Sequence, residues 1–275
     1  MSRLGTVFSE LNKAKRKALI PYIVAGDPER GFTVSLMHRL VKAGADVIEV
    51  GVPFSDPMSE GPVIQQGHER ALEHGVSLRN VLEMVTAFRE EDRDTPVVLM
   101  GYANPVVRMG YAAFADACST AGVDGLITVD LPPEEVADLN QELKRVGIDN
   151  IFLISPTTPD ARIGTITSTA SGFLYYVALK GVTGAGNLDA DAVAAYLERI
   201  RATTDLPIAV GFGIKDAASA AAIAEYADGV VVGSALVDAI ARSVAAGDGL
   251  EGAAGVAVKL VEAIRHGVDS RPSAA

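Results

Sequence analysis

The stretch VIEVGVPFSDPMSEGPVIQ, residues 47–65, carries three carboxylates, Glu49, Asp56 and Glu60, and neither lysine nor histidine. Glu49 stands inside an apolar run that reads as a strand, where valine would pack. Carboxylates in such a place suit general acid–base chemistry, because an apolar surround raises a carboxyl pKa toward neutrality. A single acid buried near a strand's C-terminal end is expensive without a use. Under period-two alternation Val47, Glu49 and Gly51 share one face, and Ile48 and Val50 the other. With the apolar pair turned to an outer layer, Glu49 points into the interior of a barrel near its mouth. A carboxylate tied into a structural hydrogen-bond pair is the bland alternative.

Glu60 has a stronger plain reading. It lies two residues before Pro62, and acids belong near a helix N-terminus that opens on proline. Asp56, between Ser55 and Pro57, fits an ordinary turn, and Asp130, ending ITVD before LPPEEV, fits the start of a helix. Only their clustering raises these acids above turn chemistry.

A second kind of chemistry lies in the glycines. GVTGAG, GFGIKD and GSALVDAI each begin directly beyond an apolar run. Backbone N–H groups at such turns, with a helix N-terminus opening at Ser234, form an anion site that needs no cationic side chain. Any one motif is explained by a tight turn; three in successive loops favour phosphate. Lys180 is placed for Schiff-base chemistry, or is simply a solvated loop lysine. His38, His68, His74 and His266 are scattered over helical stretches without metal-ligand spacing and read as surface or packing residues. Neither a dinucleotide fingerprint nor a G-x-S-x-G elbow is present.

These residues need a scaffold. Eight β-rich runs, ALIPYIVAG, DVIEVG, PVVLMGY, DGLITVD, NIFLIS, FLYYVAL, PIAVGFG and DGVVVG, alternate with amphipathic stretches. Six have the all-apolar look of strands buried on both faces, as in a parallel sheet. The pattern predicts one (β/α)8 TIM barrel over residues 1–275, with a doubly wound open sheet as the alternative. Extra helices are expected before the first strand (3–15), after the second (62–73) and after the eighth (234–245). Chemistry in such a barrel belongs on the loops at the strands' C-terminal ends.

Composition narrows the function. The chain has 275 residues, 49% of them hydrophobic, and a net charge of −11, which disfavours a nucleic-acid partner over the whole surface. One cysteine, Cys118, precludes an intrachain disulfide and agrees with a reducing compartment. The basic cluster Lys13 to Lys17 ahead of ALIPYIVAG imitates a signal peptide, but Pro21 and GDPER fit a strand and its loop better. No apolar run approaches the ~20 residues of a membrane span. A cytoplasmic protein is expected.

Along nearly its whole length the chain resembles the tryptophan synthase alpha subunit family. The resemblance is carried by PYIVAGDP, IEVGVPFSDPMSEGPVIQ, MGYANP, DGLITVDLPPEE, GVTG, GFGI and VVGSA, in order and at the family's spacing. It implies a (β/α)8 lyase that cleaves indole-3-glycerol phosphate to indole and glyceraldehyde 3-phosphate in tryptophan biosynthesis. The chain itself would hold no cofactor or metal. Its partner would be a beta subunit carrying pyridoxal phosphate, in an alpha-beta-beta-alpha heterotetramer.

Residue by residue, Glu49 matches the family's proton-moving glutamate, and Glu60 stands where the family usually has an aspartate that bonds the indole N–H. Tyr175 matches a tyrosine beside the reacting centre. Gly184, Gly213, Gly233 and Ser234 match the phosphate binders. Thr183, with Asp130, matches the loop-closing set, while Tyr22, Tyr102, Ile127, Val129 and Phe212 match the indole pocket. Asp56, Pro57 and Asn104 fall on the side that meets the beta subunit. The alternatives are a Schiff-base aldolase using Lys180, and a phosphate-ligand-sensing or activating subunit with impaired catalysis.

Overall fold

The computed structural model describes residues 2–178, 190–211 and 213–270. Its strands are β1 (Ala18–Val24), β2 (Ile48–Gly51), β3 (Val97–Gly101), β4 (Gly125–Thr128), β5 (Asp149–Ile154), β6 (Leu174–Val177), β7 (Ile208–Gly211) and β8 (Gly229–Val232). Each pairs in parallel with the next. β8 then returns to β1, with Ala18 opposite Gly229 and Pro21 opposite Val232, so the sheet closes into a barrel. Closure excludes the doubly wound sheet.

Strand alternation sorts the core into two parts. Outward residues such as Leu19, Ile23, Ile48, Val50, Val97 and Leu99 pack against the helical layer. Inward residues, among them Ala18, Ile20, Val47, Val98, Ile127, Ile151, Phe173, Ala209 and Val231, fill the barrel. Both faces of each strand are thus dry, which is why the runs lack a polar alternation. The face that holds Val47 also holds Glu49.

Helix α1 (Arg3–Lys13) precedes β1 and ends two residues short of the expected boundary. It plugs the barrel floor: Leu4, Phe8 and Leu11 join the interior cluster, and the Phe8 ring lies 5.5 Å from that of Phe173. Ser2 caps it by accepting the Gly5 N–H at 3.1 Å, and its own hydroxyl donates to Asp149 at 2.7 Å. Above this floor, aspartates just before three strands each tie a neighbouring strand to a helix. Asp46 accepts the Leu19 N–H and pairs with Arg265; Asp124 accepts the Val97 N–H and pairs with Arg89; Asp228 accepts the Ile208 N–H and pairs with Arg201. The aspartates opening DGLITVD and DGVVVG are two of these clamps.

The helices after β1 and β2 are α2 (Phe32–Lys42), α3 (Pro62–Glu73) and α4 (Leu78–Arg89). After β3 come α5 (Ala103–Met109) and α6 (Tyr111–Ala121). Then follow α7 (Ala137–Val146), α8 (Asp160–Thr169), α9 (Ala190–Arg201), α10 (Ala217–Ala224), α11 (Ser234–Ala245) and α12 (Gly249–Asp269). α3 and α11 are the expected additions. α5 was not among the expected helices. Pro105 sits in its first turn, where a missing N–H costs nothing, and the cap comes from elsewhere: Asp130 Oδ1 accepts the Ala103 N–H at 2.7 Å. Asp130 therefore starts a helix, but a neighbour's rather than its own.

Among the described residues no helix is long and apolar enough to cross a membrane.

Candidate active site at the barrel mouth

Glu49 lies in register with Tyr22 of β1 and Val98 of β3 and is fully buried. Neither carboxylate oxygen has a hydrogen-bond partner. The reading as a satisfied structural carboxylate therefore fails. Burial, with a smaller contribution from the negative charge of Glu60, pushes its pKa up to about 8. It is protonated at neutral pH and close enough to ionisation to move a proton in either direction.

Two interior tyrosines flank it, each made possible by a glycine on the next strand. The Tyr22 ring leans over Gly51, and the Tyr175 ring over Gly211; a methyl group at either glycine would overlap the tyrosine's hydroxyl and ring carbons. Burial raises both phenols well above their ordinary value, Glu60 and Glu49 adding for Tyr22, and Glu49 and Glu60 for Tyr175. Both remain neutral hydrogen-bond donors. Tyr22 lies in register with Glu49, and its hydroxyl shares His68 Nε2 with Glu60, which brings these groups together. Gly51→Ala is accordingly expected to cost about 1–3 kcal/mol by overpacking. Thermal melting checks this: a midpoint equal to the parent's would mean the Tyr22 ring is not seated there.

Glu60 arrives from the loop between β2 and α3. Its side chain is 4% exposed, and Oε2 lies 2.8 Å from Nε2 of His68 on α3. His68 is buried too, which rules out the surface half of its surface-or-packing reading. Its Nδ1 accepts the Phe54 N–H at 3.0 Å and its Nε2 lies 3.2 Å from the Tyr22 hydroxyl. The signal was present: Ile64, His68 and Ala71 fall on one helical stripe, and the stripe faces inward. His38 packs at a tilt against Phe88, while His74 and His266 are exposed, as expected.

The loop that carries Glu60 is held at several points. The Phe54 ring stacks on Tyr102 at 4.9 Å, and the Tyr102 hydroxyl accepts the Ser59 N–H at 3.2 Å. On the far side of α3, Arg70 donates twice to buried Asp27, at 2.7 and 2.9 Å, fixing the helix to the loop after β1. The aspartate of GDPER is thus an anchor for α3.

The other expected residues divide as follows. Tyr102 is buried against the Glu60 loop, Ile127 is buried in the barrel interior, and Val129 is half-buried, its N–H bonded to the Gly101 carbonyl at 2.9 Å. Gly213 adopts φ +81°, a conformation that favours glycine. Gly233 directly precedes α11, and Ser234 is its first, exposed residue. Asp56 and Asn104 are exposed, whereas Pro57 is buried. Exposed Met58 (85%) and Val107 (56%) sit on the same two segments as Asp56 and Asn104. Thr183, Gly184, Lys180 and Phe212 lie outside the described residues.

A cavity of about 1030 Å³ opens at the opposite end, beside α1, with Asn12, Asp149, Arg201 and Asp228 in its walls. Among the described residues, none of the buried polar atoms lacking a hydrogen bond belongs to a residue lining it. Three such atoms belong to Glu49 and Glu60 at the mouth, and the chemistry is placed there.

Comparison with known proteins agrees with this geometry. The family profile of the tryptophan synthase alpha chain matches residues 8–264. The chain is 65% identical over 242 residues to the tryptophan synthase alpha chain of Thioalkalivibrio sulfidiphilus, covering 88% of this chain and 91% of that one. To the alpha chain of Methylococcus capsulatus it is 56% identical over 270 residues, covering 98% and 100%. Among solved structures, tryptophan synthase subunit alpha from Legionella pneumophila superposes with a TM-score of 0.90 at 45% identity, covering 98% of this chain and 99% of that one. By profile, by identity and by fold, the chain belongs to the tryptophan synthase alpha chain family.

Proposed function

We propose that the chain cleaves indole-3-glycerol phosphate to indole and glyceraldehyde 3-phosphate. The observation that carries this reading is the pair of buried acids at the barrel mouth, one of them, Glu49, with both oxygens bare and its pKa raised to about 8. Protonated Glu49 delivers its proton to the indole ring carbon that bears the glycerol chain. The ring becomes an iminium cation whose N–H faces Glu60. The resulting Glu49 carboxylate takes the proton from the adjacent glycerol hydroxyl as the carbon–carbon bond breaks. The bond's electron pair returns to the ring, indole and an aldehyde leave, and Glu49 is protonated again. Protons balance without an external acid or base. Glu60 binds the ring N–H more strongly once the ring is cationic, and that difference lowers the barrier.

Tyr175 stands beside the reacting carbon, and Tyr22, Tyr102, Ile127, Val129 and Phe212 line the indole pocket. The phosphate sits on the backbone N–H groups of Gly184, Gly213 and Gly233 and on Ser234, at the N-terminus of α11. Thr183 closes over the substrate. Asp130 acts through α5, whose first N–H it holds. A beta subunit that carries pyridoxal phosphate receives the indole, in an alpha-beta-beta-alpha heterotetramer in the cytoplasm. It docks on the segments of Asp56 and Asn104, where the exposure of Met58 and Val107 supports an apolar contact. The test is indole formation from indole-3-glycerol phosphate, measured with and without a beta subunit.

The phosphate site makes a separate prediction. Ser234→Asp places a negative charge on the first turn of α11, which suits the helix dipole, so the melting temperature should hardly move. The phosphate dianion meets that charge and loses a hydroxyl donor. Glycerol 3-phosphate binding is expected to weaken by about 10-fold or more, with KM raised. Parent-like affinity in calorimetric titration would place the phosphate elsewhere.

A further inference from the structure

We infer that His68 is a positioning residue for Glu60. This rests on the proposed role of Glu60 as the carboxylate that holds the indole N–H. The imidazole is fully enclosed, and each ring nitrogen has an assigned neighbour. Nδ1 faces the Phe54 backbone N–H at 3.0 Å. A backbone N–H can only donate, so Nδ1 must be a bare acceptor, which assigns the ring proton to Nε2 and makes the imidazole neutral. Charging the ring would set N–H against N–H and break the Phe54 bond.

Nε2–H then faces two oxygens, the Tyr22 hydroxyl at 3.2 Å and Glu60 Oε2 at 2.8 Å. The second contact is short but not directed as a hydrogen bond, and Glu60 Oε2 has no hydrogen-bond partner. A buried carboxylate oxygen without a hydrogen bond gains by staying beside the ring N–H 2.8 Å away. His68 therefore holds one end of the Glu60 carboxylate back against α3 and leaves the other oxygen to the substrate.

Two consequences follow for the reaction. First, Glu60 is longer by one methylene than the aspartate usual in the family, and a longer acid has more rotamers to lose when it binds the ring. His68 restricts those rotamers in advance. Second, the restraint comes from a neutral donor. A cation at this place would cancel much of the Glu60 charge that helps keep Glu49 protonated and that stabilises the iminium. The tautomer forced by Phe54 preserves the negative charge while fixing its position.

Two substitutions separate positioning from mere packing. His68→Asn keeps an acceptor for the Phe54 N–H but does not reach Glu60. His68→Gln places an amide N–H near the position of Nε2. In the indole-release assay, His68→Asn is expected to lower kcat by about 10-fold or more with KM for indole-3-glycerol phosphate nearly unchanged, and His68→Gln is expected to recover most of the loss. The parent and Glu49→Gln are assayed alongside. Parent-like kcat in His68→Asn, or equal impairment of Asn and Gln variants at equal melting temperature, overturns the inference while the parent still releases indole. If His68→Asn does not fold, His68→Leu, which removes the donor at similar volume, takes its place beside His68→Gln: parent-like kcat in His68→Leu, or equal impairment of the Leu and Gln variants at equal melting temperature, overturns it. A parent that releases no indole, alone or with a beta subunit, instead overturns the reaction on which the inference rests.

Discussion

Replacing Glu49 with glutamine is expected to lower turnover by at least about 10²-fold, because general acid–base assistance is typically worth ~10²–10⁴-fold and the amide cannot move a proton. Size and hydrogen-bonding capacity are kept, so the barrel should fold and glycerol 3-phosphate should bind as in the parent. The same variant has a second signature. Glu49 is raised from 4.5 to about 8 in the folded chain, so between those values the folded state holds a proton that the unfolded state has released. Stability of the parent must therefore fall as pH rises through that window, by an amount on the order of a few kcal/mol. Glutamine does not ionise, so the variant's stability curve should be flatter there and should gain on the parent at alkaline pH. Denaturant melts across pH 5–9 check the sign. A parent and variant with parallel curves would mean that Glu49 is not the raised acid.

Glu60→Ala is expected to lose about 10²-fold or more in kcat, the usual cost of deleting a preorganised group that meets developing charge. The alanine also removes the negative neighbour of Glu49, so its carboxyl should ionise at a lower pH than in the parent. Glu60→Asp, by contrast, should retain activity or raise it. If alanine is tolerated in the cleavage assay, Glu60 is a loop acid packed on His68 and the two-carboxylate mechanism is wrong for this chain.

Much of this arrangement was legible in the sequence because it depends on short-range periodicity. All eight strands lie where the apolar runs put them, and the inward turn of Glu49 follows from the alternation Val47–Glu49–Gly51. The remainder depends on partners distant along the chain. Asp130 read as the start of its own helix because its true partner, the Ala103 N–H, lies 27 residues away. α5 was hidden for the same reason. Gly51 and Gly211 look like ordinary strand-end glycines, and only the neighbouring strand shows that each yields its side-chain volume to a tyrosine. His68 carried a local signal in its helical stripe, but without Phe54 and Tyr22 in view an inward histidine has no evident work. Local pattern reveals which way a side chain faces; what it faces is set by closure of the barrel.

The most direct measurement is indole release from indole-3-glycerol phosphate by the purified chain and its Glu49→Gln variant, each with and without a beta subunit. The parent is expected to release indole and glyceraldehyde 3-phosphate in equal amounts, with the variant at least about 10²-fold slower under both conditions. A folded parent that binds glycerol 3-phosphate yet releases no indole in either condition would contradict the assignment and leave a phosphate-sensing subunit in its place.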